Sequence, residues 1–129
     1  MKRHVDLLAT LFILYGALAL LVSLALITLG LGVVAVVVGS YADQASARLT
    51  AGAAASVFGA LAGLGILGGV VHLWVAFALR RVREWARIIG IVIAIVDLFV
   101  PPLGTALGVY AIWVLAHREV RAIFETPRV

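Results

Sequence analysis

The sequence predicts an all-α protein, a four-helix transmembrane bundle with both termini cytoplasmic, and three observations carry that expectation. Hydrophobic residues make up 65% of the 129-residue chain and its mean hydropathy is +1.23, whereas soluble domains are about 45–50% apolar. The apolar residues gather into four long runs, and basic residues stand at one set of run ends. Hydrocarbon offers no partner to a free N–H or C=O. The runs also lack the period-two alternation of a membrane barrel strand, so helices are the expected element.

The first run, Leu7 to Val38, carries no charged residue and exceeds the ~20 residues that cross a bilayer as a helix. Lys2 and Arg3 precede it, and Ala45-Ser46-Ala47 looks like a signal-peptidase site. The run is far longer than the ~7–15 residues of a signal h-region, which favours a retained span. A polar connection is expected from Ser40 to Thr50, around Asp43, Gln44 and Arg48, and Ala51 to Leu79 forms the second span. Arg80-Arg81-Val82-Arg83-Glu84-Trp85-Ala86-Arg87 follows, then a third apolar segment, Ile88 to Val100, interrupted only by Asp97. Pro101-Pro102 forces a turn, because proline lacks the donor a helix interior needs, and Pro102 suits the first turn of the fourth segment. The spans are thus expected over 7–38, 51–79, 84–100 and 102–117 of a single integral membrane domain, 1–129. A short amphipathic tail, Val120 to Phe124, is expected along the interface.

Charge sets the orientation. Lys2, Arg3, Arg80, Arg81, Arg83, Arg87, Arg118, Arg121 and Arg128 share one side, against Arg48 alone on the other. Basic flanks stay inside, so both termini are expected in the cytoplasm. Nine of the ten basic residues are arginine, which points to a GC-rich bacterial genome, and the expected location is the bacterial inner membrane. Trp74, Trp85 and Trp113 fall near the basic ends, where indoles anchor at the headgroup boundary. The net charge of +4 is therefore a topology signal rather than a nucleic-acid footprint.

The hairpins are unequal. Leu7 to Val38 would measure roughly 48 Å as a helix, against a hydrocarbon core of ~30 Å. Tilt alone would have to reach about 50°, beyond the usual range. A bend near Gly30 and Gly32, or an outer part standing above the lipid, is expected. Spans three and four come to roughly 25 Å each. A long hairpin beside a short one leaves apolar surface at Val33 to Val38 and Ala51 to Val57, and such surface marks a contact site.

The second half resembles a group of small bacterial four-span membrane proteins. The residues that carry the likeness are Arg83-Glu84-Trp85-Ala86-Arg87-Ile88-Ile89-Gly90 and the stretch from Pro102-Leu103-Gly104-Thr105 through Gly108-Val109-Tyr110 to Leu115. In that group a basic-Trp-Ala-Arg segment before span three recurs with a Pro-x-Gly-Thr-x-x-Gly-x-Tyr opening of span four. The resemblance implies the bundle and its orientation, and no activity.

Small residues recur at four-residue spacing: Ala51, Ala55, Gly59 and Gly63, then Gly65 and Gly69, and Gly104 with Gly108. In lipid, such stripes let helix backbones approach and replace the missing hydrophobic drive between helices. They are expected to pack helices inside the bundle or against a second copy. Asp97 is a carboxylate inside a span, where a charge costs about 2.5–3.5 kcal/mol on insertion scales. Its position one turn before the prolines suggests an outer rim, where water or donors such as Thr105 would serve it. The alternative is an ion or proton site shared with His72, which belongs to the cytoplasmic half of span two.

Histidines on different helices, His4, His72 and His117, leave haem or metal ligation open in principle, but interfacial or hydrogen-bonded roles are the commoner use, and no metal or cofactor is expected. Arg80, Arg81, Arg83 and Arg87 are candidates to hold anionic lipid headgroups. The absence of cysteine excludes disulfides and thiol chemistry. No Ser-His-Asp set at one depth and no phosphate-binding loop occurs. No catalytic residue is expected. The leading expectation is a non-enzymatic membrane protein acting through helix association, as a homo-oligomer or an accessory subunit of a larger membrane complex. The alternative is an oligomeric small channel or transporter using Asp97.

Overall fold

The computed structural model describes residues 2–40 and 43–125, and these are all-α. Five helices follow one another: α1 Lys2–Ser40, α2 Gln44–Arg80, α3 Glu84–Asp97, α4 Leu103–Ala116 and α5 Arg118–Glu125. Two of them, α1 and α2, are long and apolar enough to cross a membrane, and α4 is a shorter apolar helix. Arg128 lies outside the described residues.

Several boundaries differ from the sequence expectation. α1 runs unbroken through Gly30 and Gly32. The polar stretch expected as a connection is helix from Gln44 onward, and residues 41–42 lie outside the described residues. The reason is a cap. The Asp43 carboxylate accepts from the Ser46 amide at 3.0 Å, the Ser46 hydroxyl at 2.8 Å and the Ala45 amide at 3.3 Å, satisfying donors that a helix start leaves free. Polarity here marks a helix start, and Ala45-Ser46-Ala47 forms its first turn.

These bonds, first those from Ser46, hold the Asp43 carboxyl below its ordinary pKa. A depressed folded pKa gives stability that is present above the unfolded value and lost as pH falls through the folded one. The Ala45 and Ser46 amides are therefore expected to exchange faster, relative to their intrinsic rates, as pH drops below the usual carboxylate range. Asp43→Ala should remove that pH dependence, and an unchanged profile in the variant would refute the cap.

The chain divides into two compact units. One comprises residues 17–70, the other the described residues of 1–16 and 71–129. In the first, α1 and α2 meet through small residues: the site of a Cβ on Gly30 is 2.7 Å from that of Phe58, and a Cβ on Gly65 would strike the Ser23 hydroxyl, itself bonded to the Ala19 carbonyl. Within this unit the buried positions of α1 are Ser23 and Gly30, seven residues apart, the spacing found where two helices pack side by side.

In the second unit, Leu8, Phe12, Val75, Leu79, Ala94, Ala111 and Leu115 form the core. α3 and α4 lie close because Gly90, Gly104 and Gly108 carry no side chain: a Cβ on Gly90 would stand 2.9 Å from Leu115 Cδ1, and one on Gly108 would meet the Ala94 carbonyl. α2 ends with Arg83 N–H donating to the Ala78 carbonyl and Val82 N–H to that of Leu79, with Val82 left-handed at φ 49°. This is a helix-terminating arrangement in which glycine is the usual occupant. Val120 and Phe124 of α5 are buried in the core, so the tail's apolar side faces protein, where an interfacial position was expected. Glu125 helps hold it there through Arg87 of α3 at 3.7 Å, and pairs within α5 with Arg121 at 2.6 Å.

α3 and α4 have 14 residues each, about 20 Å by helical rise and shorter than the expected 84–100 and 102–117. The turn between them, Leu98 to Pro102, has an apolar tip with Phe99 83% exposed. Its amides are nonetheless accounted for. Leu98, Phe99 and Val100 donate to the Ala94, Val96 and Asp97 carbonyls, and Pro101 and Pro102 have no N–H to satisfy.

Candidate functional site

The second unit gathers its polar groups where α1, α2, α3 and α4 meet. His72 Nε2 lies 2.8 Å from Asp97 Oδ2, and the two residues are 6% and 4% exposed. From α1, the Phe12 ring stands edge-on to the imidazole at 5.4 Å and the Tyr15 ring lies at 4.9 Å. α4 contributes Gly104, where a Cβ would be 2.6 Å from the Asp97 carbonyl and 3.1 Å from the Tyr15 hydroxyl.

Local structure explains the pairing. Asp97 is the last residue of α3, where the negative end of the helix dipole disfavours a carboxylate. A buried carboxylate needs a compensating donor, and the imidazole supplies one. The contact is an ion pair with imidazolium and a charge-assisted hydrogen bond with neutral imidazole. Such a pair can fix two helix segments together, or hold and pass a proton.

Asp97 is thus a buried residue, not a solvated rim group. The expected donor, Thr105, gives its hydroxyl at 3.0 Å to the Leu98 carbonyl instead. The sequence places Asp97 one turn before the prolines and His72 about two turns from the arginine cluster, which suggests different depths; the fold nonetheless brings the carboxylate at the end of α3 to the imidazole on α2. Phe12 and Tyr15 carry no marked sequence signal, since both sit in an uninterrupted apolar run. On α1 the buried Val5, Leu8, Ala9, Phe12 and Gly16 recur at three- and four-residue spacing and mark the inward face beside them.

The other candidate residues separate. Ala51 and Gly69 are buried and Gly65 faces Ser23, while Ala55, Gly59 and Gly63 are exposed. A Cβ on Gly59 or Gly63 would meet nothing within 4 Å, so the four-residue stripe splits between an inward and an outward side. Of the arginines, Arg81 and Arg83 are exposed, Arg80 donates to the Thr10 hydroxyl at 3.2 Å, and Arg87 donates to the Leu115 carbonyl at 3.2 Å. Arg87 therefore serves one of the carbonyls that the end of α4 leaves free. Among the described residues no three His, Asp or Glu side chains converge on a metal-sized site. Instead His4 and His117 each lie with ring centres 5.9 Å from Trp113. Comparison with known proteins yields no matching family model, no matching curated protein and no matching solved structure.

Proposed function

We propose that the chain is an integral membrane protein, cytoplasmic at both termini, that acts through helix association, as a homo-oligomer or as the accessory subunit of a larger complex. The observation that carries this reading is an open stripe of α2, where Ala55, Gly59 and Gly63 are exposed at four-residue spacing with exposed Leu67 one turn further on. An apolar face of this extent is stable in lipid and costly in water, and glycines on it admit a second helix backbone. In this reading α1 and α2 span the bilayer. The α3–α4 hairpin enters from the arginine side and turns inside the hydrocarbon, since about 20 Å does not cross ~30 Å. A turn whose amides are all bonded or absent suits that position.

Gly59→Leu combined with Gly63→Leu is expected to dissociate the assembly in mild detergent, read by native mass spectrometry, while leaving the helix content and thermal stability of the chain unchanged. Assembly that persists in the double variant removes this face from the reading.

A second reading is a small channel or transporter built from several copies, favoured by the burial of His72 with Asp97, since ionisable groups inside membrane spans commonly serve transport. Asp97→Asn retains the shape and a hydrogen bond. In reconstituted vesicles it is expected to abolish ion or proton flux and spare assembly. A variant that conducts like the parent eliminates this reading.

A further inference from the structure

Along α4 runs an open groove of about 680 Å³, lined among others by Pro102, Ala106, Val109, Tyr110 and Trp113. Its size lies within the ~300–1,000 Å³ of small-ligand sites. The lining is almost wholly apolar, and its hydroxyls are engaged: Thr105 donates to the Leu98 carbonyl, and the Tyr110 hydroxyl lies 3.3 Å from His4 Nδ1. At one end stands an aromatic and basic collar. Trp113 is 52% exposed, with His4 edge-on to it and His117 on the next turn of its own chain segment. Lys2, Arg3 and Arg118 adjoin these histidines in sequence and are exposed, outnumbering Asp6 and Glu119 in the same turns.

We propose that this groove binds one anionic phospholipid, its acyl chain laid along Val109 and Ala106 toward Pro102 and its phosphate held at the collar by Lys2, Arg3 and Arg118. The groove joins an apolar trough to an aromatic end whose neighbouring residues along the chain carry a net positive charge, the pattern of an anionic amphiphile. A second copy of this chain is a poorer occupant, because parallel copies meeting at this face would bring two basic collars together. Indole and phenol rings between trough and collar fit the headgroup boundary. The site is separate from the arginines of the α2–α3 turn, two of which are bonded to Thr10 and Leu115. The proposal rests on the membrane reading, and its test separates the two.

The chain has three tryptophans, so Trp74→Phe with Trp85→Phe leaves Trp113 as the sole indole. This variant is reconstituted in phosphatidylcholine vesicles containing a minority of phosphatidylglycerol, with brominated acyl chains on one lipid or the other. Per mole, brominated phosphatidylglycerol is expected to quench Trp113 about fivefold more strongly, the ratio that one net near-surface charge supports. Lys2→Gln, Arg3→Gln and Arg118→Gln together should abolish the preference, and Arg80→Gln, Arg81→Gln and Arg83→Gln should keep it. Equal quenching by the two lipids, or a preference lost only in the second triple variant, overturns the site. Absence of quenching by either lipid overturns the membrane reading and the site with it.

Discussion

Asp97→Ala is expected to destabilise the chain by about 3–5 kcal/mol, the usual cost of stripping one partner from a buried ionic pair. The substitution leaves His72 buried without the carboxylate 2.8 Å away and empties a position 4% exposed. His72→Ala should cost a similar amount, because Asp97 would be left buried at the negative end of α3 without the imidazole as its partner. The informative member of the series is the double variant His72→Phe with Asp97→Leu. Replacing both partners by apolar groups removes the desolvation penalty along with the attraction, and such replacements are often neutral. Most of the single-variant loss should therefore be recovered, giving a large coupling energy in a double-mutant cycle. Reversible unfolding in mixed micelles measures all four species. A single-variant loss below about 1 kcal/mol would mean that the pair holds nothing together.

Gly108→Val should open the α3–α4 hairpin, with a cost of about 1–3 kcal/mol or more from overpacking. A Cβ at Gly108 would fall on the Ala94 carbonyl and lie 3.3 Å from both Leu98 Cγ and Leu98 N. That carbonyl accepts the Leu98 amide at 3.2 Å, so the intruding carbon meets fixed backbone rather than a side chain able to rotate away. The last turn of α3, which carries Asp97, would have to move, and the His72 contact would loosen with it. Gly32→Val is the matched control. Nothing lies within 4 Å of its Cβ position, so its effect on unfolding should be small, within about 0.5 kcal/mol for a surface change. Equal losses in the two variants would contradict the packing described for α4.

How much was legible beforehand depends on what each feature needs. The helix boundaries around Leu79 to Glu84 and the presence of a turn at Pro101-Pro102 follow from charge and proline, which act locally. The stretch from Ser40 to Thr50 reads as a connection because a polar stretch between apolar runs suits a loop as well as a helix start. Only the spacing of Asp43 to Ser46 distinguishes the two. Gly104 and Gly108 lie buried against α3, whereas Gly59 and Gly63, with the same spacing, face outward. A four-residue stripe marks a face and not its neighbour. The sequence reading could not choose among these glycines, since on a helix apolar all round no contrast in hydrophobicity identifies the inner side.

The amino-acid order by itself determined the helical character and the two long apolar helices, because hydropathy, charge and proline act over one or two turns. Only the tertiary structure decided that Asp97 meets His72, that Phe12, Tyr15 and Gly104 close around them, and that the tail buries Val120 and Phe124. Those outcomes turn on how the helices pack side by side, since a slip of one residue carries a side chain about 1.5 Å along its neighbour and turns it by about 100°. A hydrogen bond tolerates only a few tenths of an ångström, so register between helices decides a pairing that composition within them leaves open.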